Sequence, residues 1–200
     1  MLIGVDFDNT IVCYDQVFHQ VALEMGLIPE RLFASKGMVR DYLRQCGKED
    51  TWIELQGYVY GPRMRDAIPF PDVLQFFSRC RQQGIKVCIV SHRTHYPYRG
   101  PQYDLHQAAR DWLEAKGFFD SGRLGISPTE VHFELTKQDK LIRISALGCS
   151  HFIDDLPEFL KEPNFPDKVI RILFDPNGKH LQVHHFQRKS SWMEIAHMFC

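Results

Sequence analysis

Carboxylate, hydroxyl and ammonium side chains follow short apolar runs at several places in the chain. They are Asp6, Asp8 and Thr10 after residues 2–5, Ser91 after residues 85–90, Lys137 at a helix start, and Asp154 with Asp155 after residues 151–153. In an open parallel sheet, ligands bind beyond the carboxyl ends of the strands, at the point where the strand order reverses. If the runs are strands of one such sheet, we expect these polar side chains to converge in one crevice.

Four carboxylates in one crevice require compensating positive charge. Asp6 and Asp8 lie two residues apart on an extended segment, so their side chains point to the same side. Two unit charges about 4 Å apart repel by about 4 kcal/mol at an effective dielectric of about 20, and one lysine is too little to offset four of them. Either some carboxylates are protonated or a cation is bound. A hard divalent cation with oxygen ligands fits best, which predicts Mg²⁺ as the cofactor.

The remaining polar groups are suited to hold a phosphoryl group. Thr10 and Ser91 offer hydroxyl donors to its non-bridging oxygens, and Lys137 offers an ammonium near a helix N-terminus. One carboxylate would attack phosphorus as a nucleophile, and its neighbour two residues along would protonate the leaving oxygen. These residue types predict phosphoryl chemistry through an aspartyl phosphate.

The elements that must position these groups alternate along the chain. Four apolar runs are typical of buried parallel strands, at residues 2–5, 85–90, 151–153 and 169–174. Helical patterns with capping residues cover residues 72–83, 104–116 and 136–147, and Ser191 opens a C-terminal helix. Strands that alternate with helices predict an α/β fold with a parallel sheet covered on both faces.

One region interrupts this alternation. Residues 14–69 contain several short helical patterns and no convincing buried strand. A structureless loop of this length would be improbable in a compact domain. We therefore predict an α/β core domain made of residues 1–13 and 70–200, with a small helical insertion at residues 14–69.

Composition limits the classes of partner. Lys and Arg number 24 against 25 Asp and Glu, a net charge of -1, so the basic excess of a nucleic-acid-binding protein is missing. The apolar runs are too short to span a membrane, and the N-terminus shows no basic leader or cleavage site, so we expect a cytoplasmic location.

The six cysteines form no CxxC pair, which is typical of reduced thiols. His184 and His185, adjacent in an expected strand, would point to opposite faces, so zinc is not expected.

The polar residues and the runs before them resemble four ordered motifs of the haloacid dehalogenase (HAD) superfamily. They are Leu-Ile-Gly-Val-Asp-Phe-Asp-Asn-Thr at residues 2–10, Val-Cys-Ile-Val-Ser at 87–91, Lys137, and Phe-Ile-Asp-Asp at 152–155. A DxDxT motif alone is weakly specific, whereas four motifs in order at the ends of strands are highly specific. The resemblance implies a Rossmann-like three-layer core with a small helical cap of the first type.

The resemblance also implies a role for each motif residue. Asp6 would be the nucleophile and a metal ligand, and Asp8 the general acid/base, with its backbone carbonyl on the metal. Thr10, Ser91 and Lys137 would bind the phosphoryl group. Asp154 would be a metal ligand, and Asp155 would bind the metal directly or through water. Dehalogenases of the superfamily lack the second aspartate and ion-pumping ATPases carry Thr there, so Asp8 points to phosphate-ester hydrolysis.

Two choices stay open on the sequence. Lys140 competes with Lys137 for the third motif; we prefer Lys137 because it lies in the first helical turn, nearer the strand ends. The expected substrate is a small phosphorylated metabolite, and His92, Arg93 and His95 are candidates to contact its polar or second anionic part, unless they belong to a solvated loop.

The alternative functions are a phosphotransferase or phosphomutase of the same fold, and a non-catalytic HAD domain that binds a phosphorylated ligand. The sequence does not predict an oligomeric state.

Overall fold

The structure of the chain is a computed structural model that describes residues 1–182 and 185–199. His184 and Cys200, which entered the sequence predictions, lie outside the described residues. The chain divides into two compact units. Unit 1 comprises Met1–Val12, Pro69–Arg93 and Gly117–Cys200, and unit 2 comprises Cys13–Ile68 and Thr94–Lys116.

Strands and helices alternate through most of the chain. The strands are β1 (Leu2–Val5), β2 (Val12–Cys13), β3 (Ile68–Pro69), β4 (Lys86–His92), β5 (Val131–Glu134), β6 (His151–Asp154), β7 (Ile170–Phe174) and β8 (Gln187–Lys189). The helices are α1 (Asp15–Glu24), α2 (Lys36–Gln45), α3 (Glu49–Tyr60), α4 (Val73–Gln82), α5 (Leu105–Ala115), α6 (Lys137–Leu147), α7 (Pro157–Leu160) and α8 (Trp192–Ala196).

The main sheet of unit 1 is parallel and has six strands in the order β5-β4-β1-β6-β7-β8. At its centre, Gly4 of β1 pairs with Cys88 of β4 on one side and with Phe152 of β6 on the other. The strand order therefore reverses at β1, as in Rossmann-type sheets, and the carboxyl ends of β4, β1 and β6 lie side by side. This confirms the predicted α/β fold.

Helices cover both faces of this sheet. Leu173 of β7 packs into an apolar cluster with Leu141 of α6 and Phe159 of α7. Its neighbour Phe174 contacts Trp192 of α8 instead, at 5.5 Å between ring centroids. Because successive strand residues point to opposite faces, α6 and α7 lie on one face and α8 on the other. The core is thus three-layered, as predicted.

Two edge strands, β5 and β8, were missing from the sequence prediction, whereas β1, β4, β6 and β7 match the four apolar runs. Most residues of β5 and β8 are partly or fully exposed. A short strand that buries few side chains lacks the continuous apolar run that identifies a central parallel strand.

The capping residues that predicted the ends of helices in unit 1 make the expected capping hydrogen bonds in the structure. The Thr136 side chain accepts a hydrogen bond from the Asp139 backbone N–H (3.0 Å) at the start of α6. Gly148 ends that helix with φ of 68°, a left-handed conformation that costs glycine little. At the C-terminal helix, Ser191 caps α8 in the same way through Glu194 N–H (3.2 Å).

Unit 2 is helical. It holds α1–α3, which form the predicted helical region between β1 and β4, together with α5. Its aromatic core includes Phe18 and Trp52, with ring centroids 5.1 Å apart, and Trp112 of α5 donates to the Ala67 carbonyl (2.8 Å). The sequence assigned residues 94–116 to the core domain, whereas this division places them in unit 2. The assignment of residues 14–69 as a cap remains a prediction.

None of the helices within residues 1–182 and 185–199 combines the length and the apolar character needed to cross a lipid bilayer.

Candidate active site

Asp6 lies at the centre of a buried polar cluster in unit 1. It directly follows β1, and its backbone N–H donates to the Ile153 carbonyl (2.9 Å), which continues the pairing of β1 with β6. Its Oδ1 accepts hydrogen bonds from Ser91 Oγ (2.9 Å) and Lys140 Nζ (2.6 Å). Its Oδ2 accepts one from Thr10 Oγ1 (3.2 Å). Ser91 and Thr10, two of the residues expected to converge, thus meet at one carboxylate together with Lys140, the competing lysine of the third motif.

The turn after Asp6 requires a residue with positive φ, and the sequence places an asparagine there. Asn9 has φ of 59°, in the left-handed region that Asn adopts more readily than most residues. Ile11 N–H then donates to the Phe7 carbonyl (3.0 Å), which closes the turn. Thr10 is fully buried, and its backbone carbonyl accepts a hydrogen bond from Trp192 Nε1 (3.1 Å).

Lys140 bridges Asp6 to Asp154, the last residue of β6. Its ammonium lies 2.6 Å from Asp154 Oδ2, and all three side chains are buried. The Asp154 Oδ1 accepts the backbone N–H of Leu156 (2.9 Å), which fixes the carboxylate. The ammonium also lies 4.1 Å from the ring centroid of Phe159, a cation–π contact that favours the charged amine.

Three carboxylates come together in a way that suits a metal ion. Oxygens of Asp6, Asp154 and Asp155 all lie within 4.8 Å of one another. Asp155 Oδ1 also accepts a hydrogen bond from Thr10 Oγ1 (3.2 Å). Three carboxylates against the single ammonium of Lys140 leave two negative charges in a largely buried place. Hard oxygen donors with this charge excess fit Mg²⁺.

Burial and neighbouring charges shift the pKa values of Asp154 and Lys140 when no cation is bound. Together they raise the pKa of Asp154 to about 7, because burial disfavours the carboxylate and the charge of Asp6 adds to this, while Lys140 opposes it. Burial alone would lower the pKa of Lys140, but the two aspartates more than reverse this, so its pKa lies above the ordinary value. Lys140 is therefore a permanent cation of the site.

Asp8 is held by an arginine rather than by the cluster. Both of its oxygens accept hydrogen bonds from Arg93 Nη1, at 2.7 and 2.9 Å. The Arg93 side chain is 3% exposed and the Asp8 side chain 20%. The sequence prediction counted four mutually repelling carboxylates; the structure shows that one of them has its own cation.

A small cavity of about 80 Å³ gives access to these groups. It is lined by Asp6, Asp8, Asn9, Ser91, His92, Lys137, Lys140, Asp155, Leu156 and Phe159. A cavity of this size has room for a phosphoryl group. Because Asp6 and Asp8 both line it, a group bound there would meet both carboxylates.

The structure places the two candidate lysines in different environments. Lys140 makes the contacts to Asp6 and Asp154, whereas Lys137 is exposed and only lines the cavity. Position in the first helical turn does not decide this, because the partner of a lysine depends on how deeply its side chain is buried and on what surrounds it. Lys140 is buried one turn into α6, whereas Lys137 is the first residue of the helix and is exposed. Helical periodicity places both lysines near the Ile144 face, so the sequence held no local signal that favoured Lys140.

The three candidate substrate residues have different environments. His92 lines the cavity, and its Nε2 lies 3.1 Å from the Leu135 carbonyl, so this nitrogen carries a proton. Burial, reinforced by the charge of Lys140, lowers the pKa of His92, which favours the neutral ring. Arg93 is buried against Asp8. His95 belongs to unit 2, where its Nε2 lies 3.0 Å from Asp104 Oδ2.

The chain matches no protein-family model and no curated protein sequence. Solved structures do resemble it over nearly its full length. A HAD-superfamily hydrolase from Ehrlichia chaffeensis shares 13% identity at a TM-score of 0.56, covering 98% of this chain and 94% of that chain. A phosphoserine phosphohydrolase-like protein from Francisella tularensis subsp. tularensis SCHU S4 shares 12% identity at a TM-score of 0.56, covering 99% of both chains.

The HAD-hydrolase YfnB from Bacillus subtilis, in a form bound to magnesium, shares 12% identity at a TM-score of 0.54, covering 98% of this chain and 97% of that chain. At such low identity these similarities concern the fold. The chain therefore has the fold of the HAD-superfamily hydrolases. This follows from its strand order, from the helices on both faces of the sheet, and from the nearly full-length agreement with these structures.

Proposed function

We propose that this protein is a Mg²⁺-dependent phosphatase that hydrolyses a phosphate monoester of a small metabolite through an aspartyl phosphate on Asp6. The observation that carries the proposal is the buried Asp6 carboxylate, which receives Ser91, Thr10 and Lys140 as donors and lines a cavity of about 80 Å³. Asp8 lines the same cavity and supplies the second carboxylate that the chemistry requires.

In the first step, an oxygen of Asp6 attacks phosphorus and the bond between phosphorus and the leaving oxygen breaks. Asp8, in its protonated form, gives its proton to that leaving oxygen, so that the product departs as an alcohol. The developing negative charge on the phosphoryl oxygens is met by the Ser91 and Thr10 hydroxyls and by the Lys140 ammonium.

In the second step, a water molecule attacks the phosphorus of the aspartyl phosphate. Asp8, now ionised, accepts a proton from that water, the bond between phosphorus and the Asp6 oxygen breaks, and inorganic phosphate is released from the regenerated Asp6 carboxylate. Asp8 then carries a proton again, so the cycle closes without any further reactant.

The metal would be held by the carboxylates of Asp6, Asp154 and Asp155, and by the backbone carbonyl of Asp8 as the HAD resemblance implies. When bound, Mg²⁺ neutralises the excess negative charge of these residues and lets a phosphate dianion approach the Asp6 carboxylate. The magnesium-bound structure of YfnB and the phosphoserine phosphohydrolase-like protein support this choice of metal and reaction class.

The direct test is the release of inorganic phosphate from 4-nitrophenyl phosphate in the presence of Mg²⁺. We expect activity that EDTA abolishes and excess Mg²⁺ restores, and no activity in Asp6→Asn, which keeps the shape of the side chain but not its charge. A wild-type protein that releases no phosphate from any of a panel of phosphorylated metabolites would instead indicate a non-catalytic phospho-ligand-binding domain.

Hydrolysis and phosphoryl transfer are distinguished with ¹⁸O-labelled water. A hydrolase puts one labelled oxygen into each released phosphate, because water attacks the aspartyl phosphate. A phosphotransferase or phosphomutase would pass the phosphoryl group to an alcohol acceptor, and the label would stay in the water.

A further inference from the structure

Arg93 contacts a carboxylate that the proposed reaction uses, yet it is absent from the residues that line the cavity. Its Nη1 lies 2.7 and 2.9 Å from the two oxygens of Asp8, and its side chain is only 3% exposed. Asp8 does line the cavity. The guanidinium therefore contacts Asp8 without lining the cavity in which a phosphoryl group would meet that carboxylate.

The arginine is itself fixed by its surroundings. Its backbone N–H donates to the Glu134 carbonyl (2.8 Å), which extends the pairing of β4 with β5 one residue beyond the end of β4. Its guanidinium carbon lies 5.7 Å from the ring centroid of Phe7, the residue between Asp6 and Asp8. A buried, strand-anchored guanidinium is a rigid reference point for the group it binds.

We propose that Arg93 is a positioning residue that holds the Asp8 carboxylate in the orientation needed for proton transfer, and that it does not bind substrate. The proposal rests on the proposed phosphatase function. A general acid must come within about 2.6–3.2 Å of the atom it protonates, so a carboxylate free to rotate loses part of its effect. With both oxygens held by one nitrogen, Asp8 keeps one orientation toward the cavity.

This differs from the role that the sequence suggested for Arg93. An arginine that bound a second anion of the substrate would face the cavity and offer its donors to it. Here Nη1 is engaged by both oxygens of Asp8, and the side chain is buried. The two roles make different predictions about which step of the reaction suffers when Arg93 is changed.

The experiment measures kcat/KM for a series of aryl phosphates of similar size, from 2,4-dinitrophenyl to phenyl phosphate, in wild type and Arg93→Met. The phenolate of 2,4-dinitrophenol is a good leaving group without protonation, whereas the leaving oxygen of phenyl phosphate needs a proton from Asp8. We expect Arg93→Met to lower kcat/KM by roughly 100-fold for phenyl phosphate and by less than about 10-fold for 2,4-dinitrophenyl phosphate. An equal loss across the series would overturn the proposal.

A second measurement shows whether Arg93 acts through Asp8. In an Asp8→Asn background there is no acid to position, so Arg93→Met is expected to cause almost no further loss with phenyl phosphate. A further loss as large as in the wild-type background would mean that Arg93 acts on something else. Arg143→Met, which removes an arginine–carboxylate pair with Glu134 away from the cavity, is the matched control and should leave the series unchanged.

Arg93→Lys controls for loss of structure, because it keeps a positive charge at the buried position of Arg93. We expect the same selective loss as in Arg93→Met but smaller, since an ammonium lacks the planar fork of the guanidinium. A folded Arg93→Lys protein, by circular dichroism and thermal unfolding, with the wild-type ratio of the two kcat/KM values would also overturn the proposal. If the wild-type protein itself is inactive, the proposed function fails, which is a different result from an equal loss in the variants.

Discussion

The Nζ atom of Lys140 lies 2.6 Å from Oδ1 of Asp6, although the two residues are 134 positions apart in the chain. Both side chains are buried, and the same ammonium also meets Asp154. This contact ties helix α6 to the end of the central strand β1 and brings a permanent positive charge to the proposed nucleophile.

Replacing this lysine is expected to affect both activity and stability. Lys140→Met should lower kcat/KM for 4-nitrophenyl phosphate by at least roughly 100-fold, because a preorganised cation next to the phosphoryl group is lost. It should also lower the free energy of unfolding by about 3 kcal/mol, since a buried charge pair loses one partner. Phosphate release and urea unfolding measure the two effects.

Lys137→Met is the matched control on the same helix. Lys137 is exposed, so we expect less than about a 10-fold loss of activity and an unfolding free energy within about 0.5 kcal/mol of wild type. A larger loss of activity in Lys137→Met than in Lys140→Met would show that the assignment of the phosphate-binding lysine is wrong.

The affinity for Mg²⁺ should depend on pH near neutrality. Burial raises the pKa of Asp154 to about 7 in the metal-free protein, so below that pH the carboxyl is mostly protonated and a proton must leave when the metal binds. We expect the affinity to increase from about pH 6 to about pH 8, with proton release that isothermal titration calorimetry detects in buffers of different ionisation enthalpy. Binding without proton release at about pH 6 would contradict this.

Gly4 of β1 is expected to tolerate no larger residue. A Cβ at this position would lie 2.6 Å from Cδ2 of Phe152 and 3.0 Å from Sγ of Cys149, both buried. Gly4→Ala should lower the free energy of unfolding by about 1–3 kcal/mol through overpacking. In a Phe152→Leu background, Gly4→Ala should lower the free energy of unfolding by less, because the edge of the Phe152 ring is absent. An equal loss in both backgrounds would rule out this contact as the cause.

The C-terminal helix α8 supports the loop that carries Thr10. Trp192 Nε1 donates to the Thr10 carbonyl (3.1 Å) inside the protein. Trp192→Phe keeps an aromatic ring against Phe76 and Phe174 but leaves that carbonyl without this donor, so the free energy of unfolding should fall by about 1–3 kcal/mol. Thermal and urea unfolding test this, and an unchanged stability would mean that the hydrogen bond contributes nothing.

Much of the site could be predicted from the sequence because the information is local. The spacing of Asp6, Asp8 and Thr10 after an apolar run places them just beyond a buried strand, and Asp154 ends another such run. The parallel class of the sheet then follows from the alternation of elements, and with it the meeting of strand ends at one edge. Central strands and capped helices carry strong local signals, so their positions were predicted well.

Tertiary structure alone decided which long side chains reach these carboxylates. A lysine or arginine spans several ångströms, so its partner depends on the face of the element that carries it and on what surrounds it. Lys140 rather than Lys137 meets Asp6, and Arg93 pairs with Asp8 and does not line the cavity. The exposed edge strands β5 and β8, and the place of α5 in unit 2, were likewise set by packing between distant segments, which no local pattern records.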